Sequence, residues 1–261
     1  LGWEDCFFVR YWEGGSHLRL RIGSRTGDNS MSARARFESS LDDMIANGSI
    51  HHFEYATYFP EYDRYGGEAT MPLVEKIFTA DSLAAANGIA AIRRATNREQ
   101  LRWLFALTSM NSLVDALGFD TDRKLQIFER MAQGYAAEFG IDKVRRRWLN
   151  DRYRQHKDTV DRIFLGPAGQ AGTFGPTLAQ RDAQIARLVA TDDTGELAGN
   201  ARLAESLLHM TANRIFPDQG RTHECVLFHL LDRGMRAAAA RTSKRAERLT
   251  PAKSASLSVG V

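Results

Sequence analysis

Apolar and polar residues alternate strictly at residues 17–22, where leucine or isoleucine occupies every second position. This period of two predicts a β-strand with one apolar and one polar face. The aromatic and β-branched run at residues 6–12 predicts a second strand, and the Glu-Gly-Gly-Ser sequence between the two has the composition of a tight turn. We therefore expect an antiparallel hairpin, with a third strand at residues 51–58.

Apolar residues recur every three or four positions in most of the remaining chain, as they do on one face of an α-helix. One such helix is predicted at residues 32–46, and a Gly/Pro-rich connection at residues 166–176 interrupts the later ones. The later predicted helices lie near residues 71–79, 81–94, 97–116, 121–139, 141–164, 176–190, 196–215 and 221–241. Strands followed by helices predict an α+β fold, in which a small antiparallel sheet from the N-terminal third packs with a mostly helical remainder.

The charge of the chain is unevenly distributed along its 261 residues. Lys and Arg number 35 against 32 Asp and Glu, which gives a formal net charge of +3. Residues 241–261 contain five bases and one acid, which leaves 30 bases and 31 acids in residues 1–240. We predict one domain at residues 1–240 followed by a basic, flexible tail at 241–261. A neutral body argues against direct nucleic-acid binding.

Neither composition nor spacing indicates a membrane or metal protein. Apolar runs are shorter than the roughly 18 residues that a membrane span needs, and acids occupy the start of the chain. The two cysteines, Cys6 and Cys225, lie in apolar runs without metal-ligand spacing, so we expect buried free thiols. A cytoplasmic protein without a metal site is predicted.

The strand at residues 17–22 carries His17, Arg19 and Arg21 on its polar face. Side chains two residues apart lie roughly 6.5–7 Å from one another, so their positive charges repel unless an anion lies opposite. One interpretation is the solvated outer face of an edge strand, where positive charge discourages aggregation. The other is a cradle for a carboxylate or phosphate, which guanidinium groups bind with two hydrogen bonds.

A segment rich in aromatic and charged residues follows the predicted third strand, at Pro60–Gly67. It ends in two glycines, which allow positive φ angles and close approach of the backbone. Glu61 and Arg64 are spaced to form a local ion pair, and this is the simpler interpretation. A concave binding loop is the alternative.

A late helix aligns Glu205, His209 and Asn213 at intervals of four residues. A neighbouring acid can orient an imidazole and set its pKa, as general acid–base catalysis requires. A histidine packed in the core is the simpler alternative for His209.

Four segments together resemble one protein family. They are Phe7-Phe8-Val9-Arg10-Tyr11, His17-Leu18-Arg19-Leu20-Arg21, Tyr58-x-Pro60-Glu61-x-x-Arg64-Tyr65-Gly66-Gly67 and His209-Met210-x-x-Asn213-Arg214. In this order they resemble the C-terminal, glutamate-eliminating domain of class I lantibiotic dehydratases, which also occurs as free-standing proteins of thiopeptide biosynthesis. The resemblance extends from about residue 3 to residue 235.

The resemblance implies a reaction and a set of site residues. In this family a partner enzyme esterifies Ser or Thr of a precursor peptide with glutamate from glutamyl-tRNA, and the domain then expels the glutamate to leave dehydroalanine or dehydrobutyrine. By resemblance, Arg19, Arg21 and Arg64 hold the glutamyl group and the developing charge, and His209 transfers the proton. The further residues expected to orient groups or bind substrate are His17, Glu61, Tyr65, Asn213 and Arg214. Tyr65 and Glu61 remain alternatives to His209 for the proton transfer.

Two other activities remain open. Free-standing relatives also perform a formal aza-[4+2] cycloaddition between two dehydroalanines, which builds the pyridine of a thiopeptide and releases the leader peptide. Retention of the strand arginines with Arg64 and His209 favours elimination, because a cyclase has no glutamyl group to hold. A non-catalytic domain that binds the leader peptide is the third possibility. The expected partners are the precursor peptide and a separate glutamyl-tRNA-dependent enzyme, with no cofactor, no membrane and a possible homodimer.

Overall fold

A computed structural model describes residues 6–23, 30–165 and 172–249. The predicted hairpin is confirmed: β1 (Cys6–Tyr11) pairs antiparallel with β2 (His17–Ile22), in a register that places Cys6 opposite Ile22 and Tyr11 opposite His17. All other regular elements in these ranges are helical. The α+β prediction is thus confirmed, with a small sheet beside a much larger helical part.

The helices follow the hairpin in a simple order, with a single 3-10 turn between the first two. They are α1 (Ser30–Ala46), the 3-10 turn η1 (Tyr62–Arg64), α2 (Met71–Arg93), α3 (Arg98–Ala116), α4 (Thr121–Glu138), α5 (Lys143–Gln155), α6 (Lys157–Ile163), α7 (Gly175–Ala190), α8 (Glu196–Gly199), α9 (Ala201–Ile215) and α10 (Gly220–Leu249). None of the helices within the described ranges is long and apolar enough to cross a membrane.

The prediction of a third strand at residues 51–58 is wrong. This segment has no regular secondary structure and makes its contacts through side chains. The Phe53 ring packs edge-on against Phe37 of α1, and the Tyr58 ring packs edge-on against Phe7 of β1. Alternation and aromatic content favour an extended chain, but a strand also needs a backbone partner, and no strand pairs with this segment in the described part of the chain.

Several predicted helix boundaries need correction. The two helices expected at 71–94 are one continuous helix, whereas those expected at 141–164 and 196–215 are each divided, at His156 and Asn200. The Asn200 side chain accepts hydrogen bonds from two backbone N–H groups of α9, so it begins a new helix rather than continuing α8. Helix α10 extends to Leu249, eight residues beyond the predicted end, into the predicted tail. The predicted boundary at 240 stays a prediction.

The helices enclose an apolar core that includes a close contact between a helix backbone and an aromatic ring. Gly88 of α2 lies against the ring of Phe105 of α3, where a Cβ atom would come within 2.3 Å of the ring. Cys225 is buried in the core and Cys6 is half-buried, and both are free thiols. The expected free thiols are confirmed, although only Cys225 is fully buried.

A network of buried charges lies within this core. Asp81 of α2 accepts hydrogen bonds from Arg181 of α7 at 2.9 Å, and from Arg214 and Thr211 of α9 at 3.0 Å each. Arg181 also donates to the Ser109 carbonyl of α3 at 2.8 Å. Both guanidinium groups are at most 1% exposed, so their charges depend on these partners. The network links α2, α3, α7 and α9 at one carboxylate.

Candidate functional site

An open cleft of about 510 Å³ lies between α4, α9, the first turn of α10 and the turn η1. Its lining is rich in charged side chains and contains two of the predicted residues, Arg64 and His209. The lining residues are Arg64, Arg130, Met131, Gly134, Tyr135, Glu138, Arg202, Glu205, Ser206, His209 and Arg221. The alternative in which His209 is packed in the core is excluded, because 25% of its side chain is exposed at this cleft.

A buried carboxylate orients the imidazole of His209. Oε1 of Glu224, on α10, lies 2.6 Å from Nδ1 of His209, and the Glu224 side chain is only 2% exposed. An ionised carboxylate at this position accepts a hydrogen bond from the Nδ1–H group, which leaves Nε2 as the nitrogen able to accept a proton. This arrangement is the one expected of a general base.

Arg221 and Tyr135 hold Glu224 in turn. Nη1 of Arg221 lies 3.7 Å from Oε2 of Glu224 and donates a hydrogen bond of 2.7 Å to the Tyr135 hydroxyl. Burial raises the pKa of Tyr135, and the nearby negative charge of Glu224 raises it further. Arg221 also pairs with Glu138 at the rim of the cleft. A neutral tyrosine and a cation thus compensate the buried carboxylate.

Arg64 reaches the cleft from η1, just before the two glycines. Gly66 and Gly67 both have positive φ angles, 83° and 95°, which allow the chain to turn sharply into α2. The guanidinium contacts Glu61 at 3.3 Å and the Ser206 hydroxyl of α9 at 3.5 Å. The ion pair that the sequence predicts is present, and Arg64 also lines the cleft, while a binding role for the loop stays a prediction.

Three arginines of the cleft, Arg130, Arg202 and Arg221, were missed by the sequence analysis. Arg130 of α4 forms an ion pair with Glu205. The predicted role of Glu205 as the acid beside His209 is therefore wrong, because Glu205 turns to α4 and Glu224 takes that position. Arg202 lies seven residues before His209, two helical turns along the same face, and this spacing was a signal for it. Arg130 and Glu224 lie on helices other than that of His209, so only tertiary contacts bring them to the cleft, and the local sequence gives no signal for them.

Tyr65 lies beside this site but in the core. Its side chain is 4% exposed and its ring packs edge-on against Phe78 at 5.1 Å. Burial raises the pKa of Tyr65 to about 12, although the charge of Arg64 opposes the shift. The hydroxyl is therefore protonated at neutral pH and is a poor candidate for the base.

The predicted residues of β2 lie outside the lining of the cleft. The guanidinium of Arg19 lies over the Tyr11 ring at 3.7 Å, and that of Arg21 lies over Tyr58 at 4.7 Å. His17 stacks against the same Tyr11 ring at 5.7 Å. The predicted joint action of these residues with Arg64 stays a prediction.

Asn213 and Arg214 connect α9 to the hairpin and do not line the cleft. The Asn213 amide both accepts from the Arg10 N–H and donates to the Arg10 carbonyl, each at 2.9 Å. Arg214 donates to the Phe8 carbonyl at 3.0 Å and is 1% exposed. Substrate contacts predicted for these two residues have no support in this geometry, because the Asn213 amide is bonded to β1 and the Arg214 side chain, including its unbonded Nη2, is buried in the core.

Comparison with known sequences agrees with this arrangement. Residues 2–235 match the family described as lantibiotic biosynthesis dehydratase, C-terminal. The chain belongs to this family. The resemblance inferred from the four segments is thereby confirmed over nearly the same range.

Members of the lantibiotic dehydratase family share both sequence and fold with the chain. The nisin biosynthesis protein NisB of Lactococcus lactis subsp. lactis is 33% identical over 93 residues, which are 36% of this chain and 9% of NisB. The tRNA-dependent lantibiotic dehydratase MibB of Microbispora sp. 107891 has the same fold, with a TM-score of 0.66 and 24% identity over 94% of this chain and 25% of MibB. TsrL has a TM-score of 0.56 and 18% identity, over 90% of this chain and 85% of TsrL. The chain thus spans a quarter or less of NisB and MibB.

Proposed function

We propose that this chain eliminates glutamate from glutamylated Ser or Thr residues of a precursor peptide. The observation that carries the proposal is the pair of His209 and buried Glu224, which faces a cleft with the guanidinium groups of Arg64, Arg130, Arg202 and Arg221. Family membership supports dehydration chemistry in general. The site supports the specific step.

In the proposed step, Nε2 of His209 removes the proton from Cα of the modified residue. The electron pair of the C–H bond forms the Cα=Cβ double bond, the Cβ–O ester bond breaks, and glutamate leaves as a carboxylate. The product is dehydroalanine or dehydrobutyrine. Glu224 stabilises the imidazolium that forms, as a buried carboxylate does for a catalytic histidine.

The arginines fit the charges of this reaction. Negative charge develops on the carbonyl next to Cα and on the departing carboxylate, and preorganised cations stabilise such charge best where water is partly excluded. Arg64 is the predicted catalytic arginine that lies in the cleft. Glu61 pairs with Arg64 and Tyr65 stays protonated, so His209 is the best supported base.

A separate enzyme is proposed to supply the glutamylated peptide. MibB is described as tRNA-dependent, and the present chain matches a quarter of it. We propose that glutamyl-tRNA is used by that partner and that this chain receives the esterified peptide. The elimination itself needs no oxidant, reductant, metal or organic cofactor.

The test is incubation of purified protein with a chemically glutamylated Ser peptide, followed by mass spectrometry. The wild-type protein should release glutamate and leave dehydroalanine. His209→Ala should leave the ester intact, with a rate lower by about 10²–10⁴-fold. Arg64→Ala should also accumulate glutamylated peptide, while the exposed controls His52→Ala and Arg98→Ala should turn over normally.

Other outcomes of the same incubation would assign a different function. Cyclisation predicts no change in the glutamylated peptide but consumption of a peptide that already contains two dehydroalanines. A non-catalytic domain predicts an unchanged mass for both peptides despite binding. Either result would overturn the elimination proposal.

A further inference from the structure

The two edges of the hairpin differ in how their backbone groups are satisfied. On the β1 side, the Phe8 N–H donates to the Ser82 hydroxyl at 3.2 Å, and the Phe8 carbonyl accepts from Arg214 at 3.0 Å. The Arg10 N–H and carbonyl both bond to the Asn213 amide at 2.9 Å. Helix side chains therefore take the place of a neighbouring strand along β1.

The β2 edge has no such cover. Phe8 pairs with Leu20 and Arg10 with Leu18, and the backbone groups of Phe8 and Arg10 point away from β2. In an antiparallel pair, the groups of their partners then point away from β1. Leu18 and Leu20 thus present N–H and carbonyl groups at the outer edge, and no strand pairs with this edge among the described residues. The side chain of Arg21 approaches the Leu20 carbonyl at 3.4 Å.

Side chains along this edge alternate in chemistry. Leu18 and Leu20 are 58% and 39% exposed on one face. His17 and Arg19 are exposed on the other face, with Arg21 half-buried beside them. An added strand would meet apolar groups on one side and positive charge on the other, because successive side chains point to opposite faces.

We propose that the outer edge of β2 binds an extended, acidic segment of the peptide substrate by β-strand addition. The inference rests on the proposed function, in which the substrate is a peptide whose modified side chain carries a glutamyl group. Backbone hydrogen bonds to Leu18 and Leu20 provide affinity, and side chains of alternate residues provide selectivity. Charge complementarity with Arg19 and Arg21 selects acidic residues at every second position.

The charged face of the hairpin is the face that leads to the cleft. Phe7 lies on the same face as Arg19 and Arg21, and its ring contacts Phe78 at 5.2 Å. Phe78 contacts Tyr65 at 5.1 Å, and Tyr65 precedes the glycine turn next to Arg64. A strand bound along β2 therefore directs half of its side chains toward the layer that holds the site.

The proposal is tested with Leu20→Pro. Proline removes the Leu20 N–H, which lies outside the β1–β2 ladder, and proline is tolerated on edge strands at such positions. Leu20→Thr is the matched control, because it removes the leucine side chain but keeps the N–H. The probe is a fluorescein-labelled peptide of alternating Glu and Val, measured by fluorescence anisotropy.

We expect the Kd of the probe to rise about five- to tenfold in Leu20→Pro, and to change by less than about threefold in Leu20→Thr. With the glutamylated peptide, KM should rise and kcat at saturation should stay the same. Replacing the probe by one that is N-methylated at alternate backbone nitrogens should weaken binding to the wild-type protein equally. This second measurement decides the matter if Leu20→Pro fails to fold.

Equal binding of the N-methylated and unmodified probes would overturn the proposal, as would unchanged Kd in a folded Leu20→Pro protein. Loss of a dimer in Leu20→Pro with unchanged probe binding would assign the edge to a second copy of the chain. If the probe binds as expected but no glutamate is released, the proposed function fails and the docking edge stands.

Discussion

In the proposed elimination, the role of His209 as the base depends on Glu224. Without a hydrogen-bonded carboxylate on Nδ1, an imidazole can rotate and can carry its proton on either nitrogen. Glu224 lies in the sequence Glu-Cys-Val-Leu-Phe, where an acid among apolar residues signals either a partner or a function. The sequence does not reveal that the partner is fifteen residues earlier, on another helix.

We expect Glu224→Gln to lower kcat for elimination at least about tenfold with KM unchanged, because the amide lacks the charge that stabilises the imidazolium. Glu129→Gln is the control, since Glu129 is on α4, pairs with Arg236 and does not line the cleft. Steady-state kinetics on the glutamylated peptide gives kcat and KM for both variants. An equal loss in the two variants, or a rise in KM alone, would contradict the role given to Glu224.

At the scale of the elements, prediction from sequence succeeded where local chemistry decides the structure. Alternation predicted β2, and Asp120 begins α4 by accepting a hydrogen bond from the N–H of Arg123 at 2.8 Å. It failed where tertiary contacts decide. Helix α5 ends before His156, whose backbone leaves helical geometry without a Gly or Pro nearby to signal the break.

The packing of α2 against α3 gives a test at this scale. Gly88→Ala should lower the free energy of unfolding by about 1–3 kcal/mol, because the new Cβ would overlap the Phe105 ring and force it to move. Gly134→Ala, in α4, is the matched control: nothing lies within 4 Å of its Cβ position, so helix propensity should raise stability by up to about 1 kcal/mol.

Urea denaturation of both variants measures the difference. Opposite signs support a close contact between the two helices. Two changes of the same sign would show that backbone entropy, rather than packing, controls both positions.

At the scale of the whole molecule, the charge is less even than the sequence totals imply. The body is neutral in sum, yet α5 alone contains six bases and one acid among its 13 residues. The chain as a whole carries only +3. A count of charges by sequence segment therefore showed the basic stretch at residues 241–261 but averaged out a basic helix.

Acid stability is a property of the whole molecule to which one half-buried histidine, His229, contributes. Burial lowers the pKa of His229 to about 4, and the charges of Arg233 and Arg146 add to this effect. In the unfolded chain the pKa is near its ordinary value of about 6.5. The unfolded state therefore binds more protons between these values, so stability should fall as the pH falls from about 6.5 to about 4.

We expect His229 to account for on the order of 2 kcal/mol of this loss. The measurement is urea unfolding at several pH values, in which His229→Leu should show a smaller loss than wild type across that range. Exposed His52→Leu should follow the wild-type slope. Parallel slopes for all three proteins would mean that His229 is protonated in the folded state.

Part of the candidate site was predictable, because local sequence places some of its residues and contacts between elements place the others. Arg64 and His209 lie on elements whose local sequence fixes their direction, and the structure brings both to one cleft. Asn213 and Arg214 belong to the same segment as His209, but their side chains face β1. Asn213 lies one turn beyond His209 on the same row of the helix, so sequence proximity grouped residues that contact different neighbouring elements.

The bond between Asn213 and β1 has a mechanical consequence. Both hydrogen bonds of this amide end on Arg10, and His209 lies about one helical turn earlier on α9. Tension on β2 passes through the ladder to β1, then through the amide to the helix that carries the imidazole. No loop along this path absorbs the displacement. A pull on the hairpin should therefore displace the helix that carries His209, the proposed base.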